Sequence, residues 1–165
     1  MLTNIIFTPV LIYILTLVTL EDIRTMLIDE VKLRILATTG IIYLLFWGSL
    51  NKEIKLLNLI FENSIGAIII FLGLFLLGII SYELTKVKSL GLGDIKLSAI
   101  STIWLGTESA LLALTISFIL SAIYSLYGKL LKKTDQLSQY PFAPFLSIGI
   151  TFSWILDKIL SGNSI

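Results

Sequence analysis

Two aspartates carry the strongest chemical signal in this 165-residue chain. Asp22 lies just past an uncharged apolar block, in Leu20-Glu21-Asp22-Ile23-Arg24. Asp94 opens another, in Leu90-Gly91-Leu92-Gly93-Asp94-Ile95-Lys96. A carboxylate at the end of a hydrophobic helix is costly unless it is hydrated, paired or employed. If the fold brings the two together around a water, they cannot both ionise easily, so one holds a proton while the other remains a base. Such a pair can split an amide. The ionised acid takes a proton from water, the protonated one polarises the carbonyl, and the roles exchange as the amine leaves. The chain contains no histidine and no cysteine, which excludes imidazole bases, thiol nucleophiles, disulfides and His- or Cys-ligated zinc. No metal and no cofactor is expected.

The surrounding residues admit more than one role. Gly91 and Gly93 lack a Cβ and allow close approach to the acid, yet Gly-x-Gly-Asp is short and also reads as a helix-start turn. A purely structural reading has Asp22 paired with Arg24 and Asp94 capping the helix that follows. Lys96 could steady an ionised carboxylate or the backbone of a substrate, or simply mark the cytoplasmic edge. Pro141 and Pro144 could shape a substrate-facing break or sit in the first turn of a helix. Asp29, Glu30 and Glu83 could attract a basic peptide, although exposed loop acids usually do nothing specific. Gly66, Gly73 and Gly78 fit close helix packing.

The elements that must position these residues are apolar helices. The chain is 56% hydrophobic and 14% charged, with mean hydropathy +0.98, and its apolar residues come in uncharged blocks rather than in half-polar periodicity. The expected fold is all-α, a polytopic membrane protein of about six transmembrane helices in a single domain over residues 1–165. A span needs about 20 apolar residues. Candidate spans are 2–20, 33–50, 63–82, 97–107, 109–128 and 136–156. The fourth is long enough only if Asp94 and Lys96 lie at the interface, and its alternative is a re-entrant hairpin with the fifth. The first block lacks a basic start and a small-residue cleavage site, so it reads as a permanent span. Residues 51–62 mix charges with apolar residues and suggest a short surface helix. A net charge of +1 gives no reason to expect a nucleic-acid partner.

Orientation follows from the basic residues. The loops after spans one, three and five hold nine of the twelve Lys and Arg, and the other side holds Lys52, Lys55 and Lys158. The nine should face the cytoplasm, with both termini outside, and both aspartates then share the cytoplasmic side. Trp47, Trp104 and Trp154 fall towards the outer ends of even-numbered spans, where indole rings favour headgroups.

Three motifs in order, Asp22-Ile23-Arg24-Thr25-Met26-Leu27-Ile28, then Gly91-Leu92-Gly93-Asp94-Ile95-Lys96-Leu97, then Tyr140-Pro141-Phe142-Ala143-Pro144-Phe145, resemble the type IV prepilin peptidase family across nearly the whole chain. The resemblance implies a plasma-membrane aspartic endopeptidase with Asp22 and Asp94 as its catalytic pair. Its partners would be prepilin or pseudopilin precursors, whose short basic leader is cut at the cytoplasmic face. Many relatives follow the first motif with Ile-Pro-Asn where this chain has Ile28-Asp29-Glu30, so a differently shaped loop is expected. The cysteine-bearing cytoplasmic insertion of bifunctional relatives has no counterpart before the second span, so peptidase activity alone is expected. Archaeal preflagellin peptidases share the two-aspartate plan. Outside this family, a small transporter or channel component using the same acids for a proton or cation is the alternative, as is a non-catalytic assembly subunit.

Overall fold

The computed structural model describes residues 2–50, 56–86, 90–130 and 140–162. Six helices make up the described chain: α1 (Leu2–Thr25), α2 (Glu30–Leu50), α3 (Leu56–Thr85), α4 (Leu92–Leu105), α5 (Thr107–Leu130) and α6 (Ala143–Gly162). No strand occurs among the described residues. Five of the six are long and apolar enough to cross a membrane; α4 is not. Its 14 residues extend about 21 Å at 1.5 Å per residue, short of a hydrocarbon core of roughly 30 Å. It is instead enclosed by protein, with Leu97, Ser98 and Thr102 fully buried. A tight turn at Gly106, with φ 78 in the left-handed region that favours glycine, reverses the chain into α5.

Apolar side chains cover the outside of the bundle. On α3, Ile68, Ile69, Leu72, Leu76 and Leu77 are all more than half exposed, as expected where the solvent is lipid. The interior gathers around Leu11, Leu15, Leu36, Leu97, Leu146 and Trp154. The helices α1 and α6 run antiparallel. Asp22 meets Ala143 at one end, Thr19 Oγ1 donates to Ser147 Oγ at 2.9 Å one turn along, and Trp154 Nε1 donates to Thr8 Oγ1 at 2.9 Å near the other end.

Three expectations need correction. Residues 56–62 are not a separate surface helix but the first two turns of α3, because no Gly or Pro interrupts the hydrogen-bond ladder before the apolar run; residues 51–55 lie outside the described residues. The last helix begins at Ala143 rather than 136, with Tyr140, Pro141 and Phe142 before it outside any helix. Trp104 and Trp154 are 3% and 1% exposed. Their indole N–H groups are satisfied by Leu36 O and Thr8 Oγ1, so they pack in the bundle interior instead of standing in a headgroup belt.

Candidate active site

The site is built where three helix ends converge: the last turn of α1, the start of α4 and the start of α6. Phe142 is the residue before α6, and its carbonyl accepts from Phe145 N–H and Leu146 N–H. A helix start leaves its first backbone N–H groups without partners. Pro144, second in α6, has no N–H to satisfy, so the remaining open donors are Phe142 and Ala143. Asp22 supplies the acceptor. Its Oδ2 takes Ala143 N–H at 2.9 Å, and Phe142 N–H is also directed at the carboxylate. Asp22 therefore caps a helix 121 residues away in sequence, and the anion-favouring end of that helix's dipole faces it. Its side chain goes to α6, not to Arg24.

Asp94 makes the matching arrangement within its own helix. It is the third residue of α4, and the N–H of Gly91, the residue that caps the helix, is directed at its carboxylate. This is half of a capping box, with the acid reaching back one turn. Two carboxylates are thus each tied to a helix N-terminus. The structural reading of Asp94 as a cap and the reading of it as a reactive acid are compatible, because the cap occupies one oxygen. The other, Oδ1, is buried without a hydrogen-bond partner among the described residues.

The two acids sense each other. Asp22 and Asp94 are 4% and 9% exposed. Burial first, and the neighbouring Asp22 charge second, push the Asp94 carboxyl up to about 7 against the opposing pull of the Gly91 N–H.

Gly91 and Gly93 serve space rather than unusual torsion. Gly91 has φ −77 and ψ 146, ordinary extended backbone, but a Cβ there would sit 3.1 Å from Asp94 Oδ2. At Gly93 a Cβ would come within 3.0 Å of Ile28 Cβ. Close approach at Gly93 lets the turn after α1 lie directly on the start of α4 and so brings the two acid-bearing segments together. Glu21 holds the same turn: its Oε2 accepts from Asp29 N–H at 3.1 Å and pairs with Lys32 at 2.9 Å.

The remaining expected residues are placed as follows. Lys96 pairs with Glu30 at 2.5 Å, joining α4 to α2 rather than steadying Asp94. Glu83 pairs with Lys86, and Asp29 Oδ1 caps the start of α2 by accepting from Val31 N–H at 3.0 Å. Gly66 packs tightly against Thr107, whereas a Cβ at Gly73 or Gly78 would meet nothing within 4 Å among the described residues. Pro144 sits in the first turn of α6 and Pro141 just before it. Sequence reasoning missed the backbone donors of Phe142 and Ala143 and the contact of Ile28 with Gly93. The flanking prolines were the available signal for the donors, because they mark a helix start with few N–H groups.

The sequence profile of the type IV leader peptidase family matches residues 9–126. The prepilin leader peptidase/N-methyltransferase of Pectobacterium carotovorum subsp. carotovorum is 29% identical over 149 residues, covering 90% of this chain and 50% of that protein. The protein of the same name in Aeromonas salmonicida (strain A449) is 35% identical over 82 residues, covering 50% of this chain and 26% of that protein. The chain thus spans about half the length, or less, of the curated relatives it matches. No solved structure matches it significantly.

Proposed function

The chain belongs to the type IV leader peptidase family, and from that premise we propose that it is a membrane-embedded aspartic endopeptidase acting through Asp22 and Asp94. The observation that carries the reading is the buried, charge-coupled carboxylate pair, in which Asp94 retains an oxygen with no hydrogen-bond partner among the described residues. Asp94 holds the proton and donates it through Oδ1 to the scissile carbonyl oxygen. Asp22 accepts a proton from the attacking water while its Oδ2 remains oriented by Ala143 N–H. Collapse of the tetrahedral intermediate then moves the proton from Asp22 to the leaving amine, and Asp94 recovers its own. Gly91 leaves room for an extended peptide beside the acid.

The substrates in this reading are prepilin precursors, which the names of the relatives indicate, or pseudopilin precursors with the same kind of leader. Their basic leader is cut at the cytoplasmic face of the plasma membrane, on the side that holds nine of the twelve basic residues. The substrate's apolar helix, packed against the lipid-facing spans, delivers the junction to the pair by proximity.

Co-expression with a prepilin tests the assignment. Asp22→Asn and Asp94→Asn each keep an oxygen for the helix-capping N–H groups, so both variants insert and fold, but cleavage falls by at least about 1,000-fold. Normal processing by either variant refutes the pairing. Because Asp94 must carry a proton, cleavage by the wild type also declines as pH rises through about 7.

A further inference from the structure

At the end of the bundle opposite the two aspartates lies a second concave site. Lys158 follows Ala143 along α6 by 15 residues, about 22 Å at 1.5 Å per residue, which puts it near the other interface of a membrane whose core is roughly 30 Å thick. A cavity of about 470 Å³ opens there between α2, α3, α4 and α6, lined by Tyr43, Trp47, Asn63, Trp104, Asp157 and Lys158 among others.

Three features show that polar matter belongs in it. Asn63 is 8% exposed and lines the cavity, yet its side-chain amide has no hydrogen-bond partner among the described residues, although its backbone carbonyl accepts from Thr102. The amide therefore offers the cavity both a donor and an acceptor, and a ligand that accepts and donates matches it. Asp157 and Lys158 stand side by side, 2.9 Å apart, and present one negative and one positive charge. Around them the walls are aromatic: Tyr43 stacks on Trp104 at 5.6 Å, and Lys158 lies 4.5 Å over Trp154. A charge pair and an amide at the mouth of a cavity walled by aromatic rings suit an amphiphile that carries adjacent opposite charges.

We infer that this cavity binds the headgroup of a zwitterionic phospholipid bearing a primary ammonium, with its phosphate towards Lys158 and its ammonium donating to Asp157 and the Asn63 carbonyl. A primary ammonium has N–H groups for these acceptors, whereas a choline group has none. An anionic glycerol headgroup leaves Asp157 facing like charge. The site is independent of the peptidase reading.

The three tryptophans of the chain report on it directly: Trp47 and Trp104 line the cavity and Trp154 packs on Trp104 at 5.8 Å. The detergent-purified full chain is titrated with short-chain phosphatidylethanolamine, phosphatidylcholine, phosphatidylglycerol or free phosphoethanolamine while tryptophan fluorescence is followed. Phosphatidylethanolamine is expected to saturate at a concentration at least about 10-fold lower than the other two lipids, a difference of roughly 1.4 kcal/mol. Free phosphoethanolamine, lacking acyl chains, gives no comparable change. Asn63→Leu and Asp157→Asn each remove most of the preference, and Asp94→Asn leaves it intact. Equal half-points for all three lipids, a preference for phosphatidylglycerol, an equal response to free phosphoethanolamine, or an unchanged preference in both site variants overturns the inference. The unliganded emission spectrum identifies a variant that fails to fold, and the remaining variant then decides.

Discussion

At the end of the bundle that holds Asp22 and Asp94, two carboxyl groups are buried and one oxygen has no hydrogen-bond partner among the described residues; at the far end, Lys158 is matched by Asp157 and rests on the faces of Trp154 and Tyr43. Both regions belong to one bundle, and α4 and α6 run through each. The first is tolerated because two helix N-termini point at the acids, but it retains unfavourable electrostatics that a purely structural site would not need. The second has Lys158 paired with Asp157 and the indoles of Trp104 and Trp154 hydrogen-bonded. The contrast separates the end proposed for proton exchange from the end whose aromatic packing fixes the supporting helices, since a site with unfavourable electrostatics remains ordered only when rigid packing elsewhere holds it.

The frame end can be broken most severely. Trp104 stacks on Tyr43, meets Trp154 edge-on and donates to Leu36 O at 2.9 Å. Trp104→Ala should cost on the order of 3–5 kcal/mol in reversible unfolding in detergent. A loss below about 1 kcal/mol would show that the aromatic cluster does not hold the helices.

The acid end should respond in the opposite sense. The folded chain keeps the Asp94 proton up to about pH 7, while an unfolded chain releases it near 3.8. Stability therefore falls as pH rises through that window, by at most about 1.4 kcal/mol per pH unit and about 4 kcal/mol in total. Asp94→Asn should abolish this slope, melting higher than the wild type at pH 8 and alike at pH 4. Parallel melting profiles for the two proteins would remove the distinction between the two ends.

A smaller effect separates the glycines. Gly93→Ala sets a methyl 3.0 Å from Ile28 Cβ, on a branched carbon that cannot swing away, and should cost about 1–3 kcal/mol together with a loss of cleavage. Gly73→Ala, with open space around it, should stabilise α3 by about 0.5–1 kcal/mol. Equal responses in thermal melting would mean that close approach is not what Gly93 provides.

Much of this was legible along the chain because its signals are local. A run of 20 apolar residues names a span without reference to anything else, and the order of the three motifs identified the family. Asp22 and Asp94 stood out because charges are rare beside such runs. The tryptophans were misread for the same reason: position along a span gives depth but not which face a residue occupies, and α2, α4 and α6 turn Tyr43, Trp104 and Trp154 inward. The third helix was read too short because charge at residues 52–55 looked like an interface, although nothing in 56–62 stops a helix.

By itself the sequence determined the medium, the helical class and the two acids, since hydropathy and residue type need no partner to be read. Only the tertiary structure decided what those acids touch. The donor to Asp22 is a backbone N–H from the far end of the chain, a group every residue but proline possesses, so no residue type could announce it. The value of Gly93 lies in Ile28, and the cavity at the far end exists only because four helices leave a gap there. Contacts of this kind come from the packing of rigid helices, whose relative placement is a property of all their faces at once.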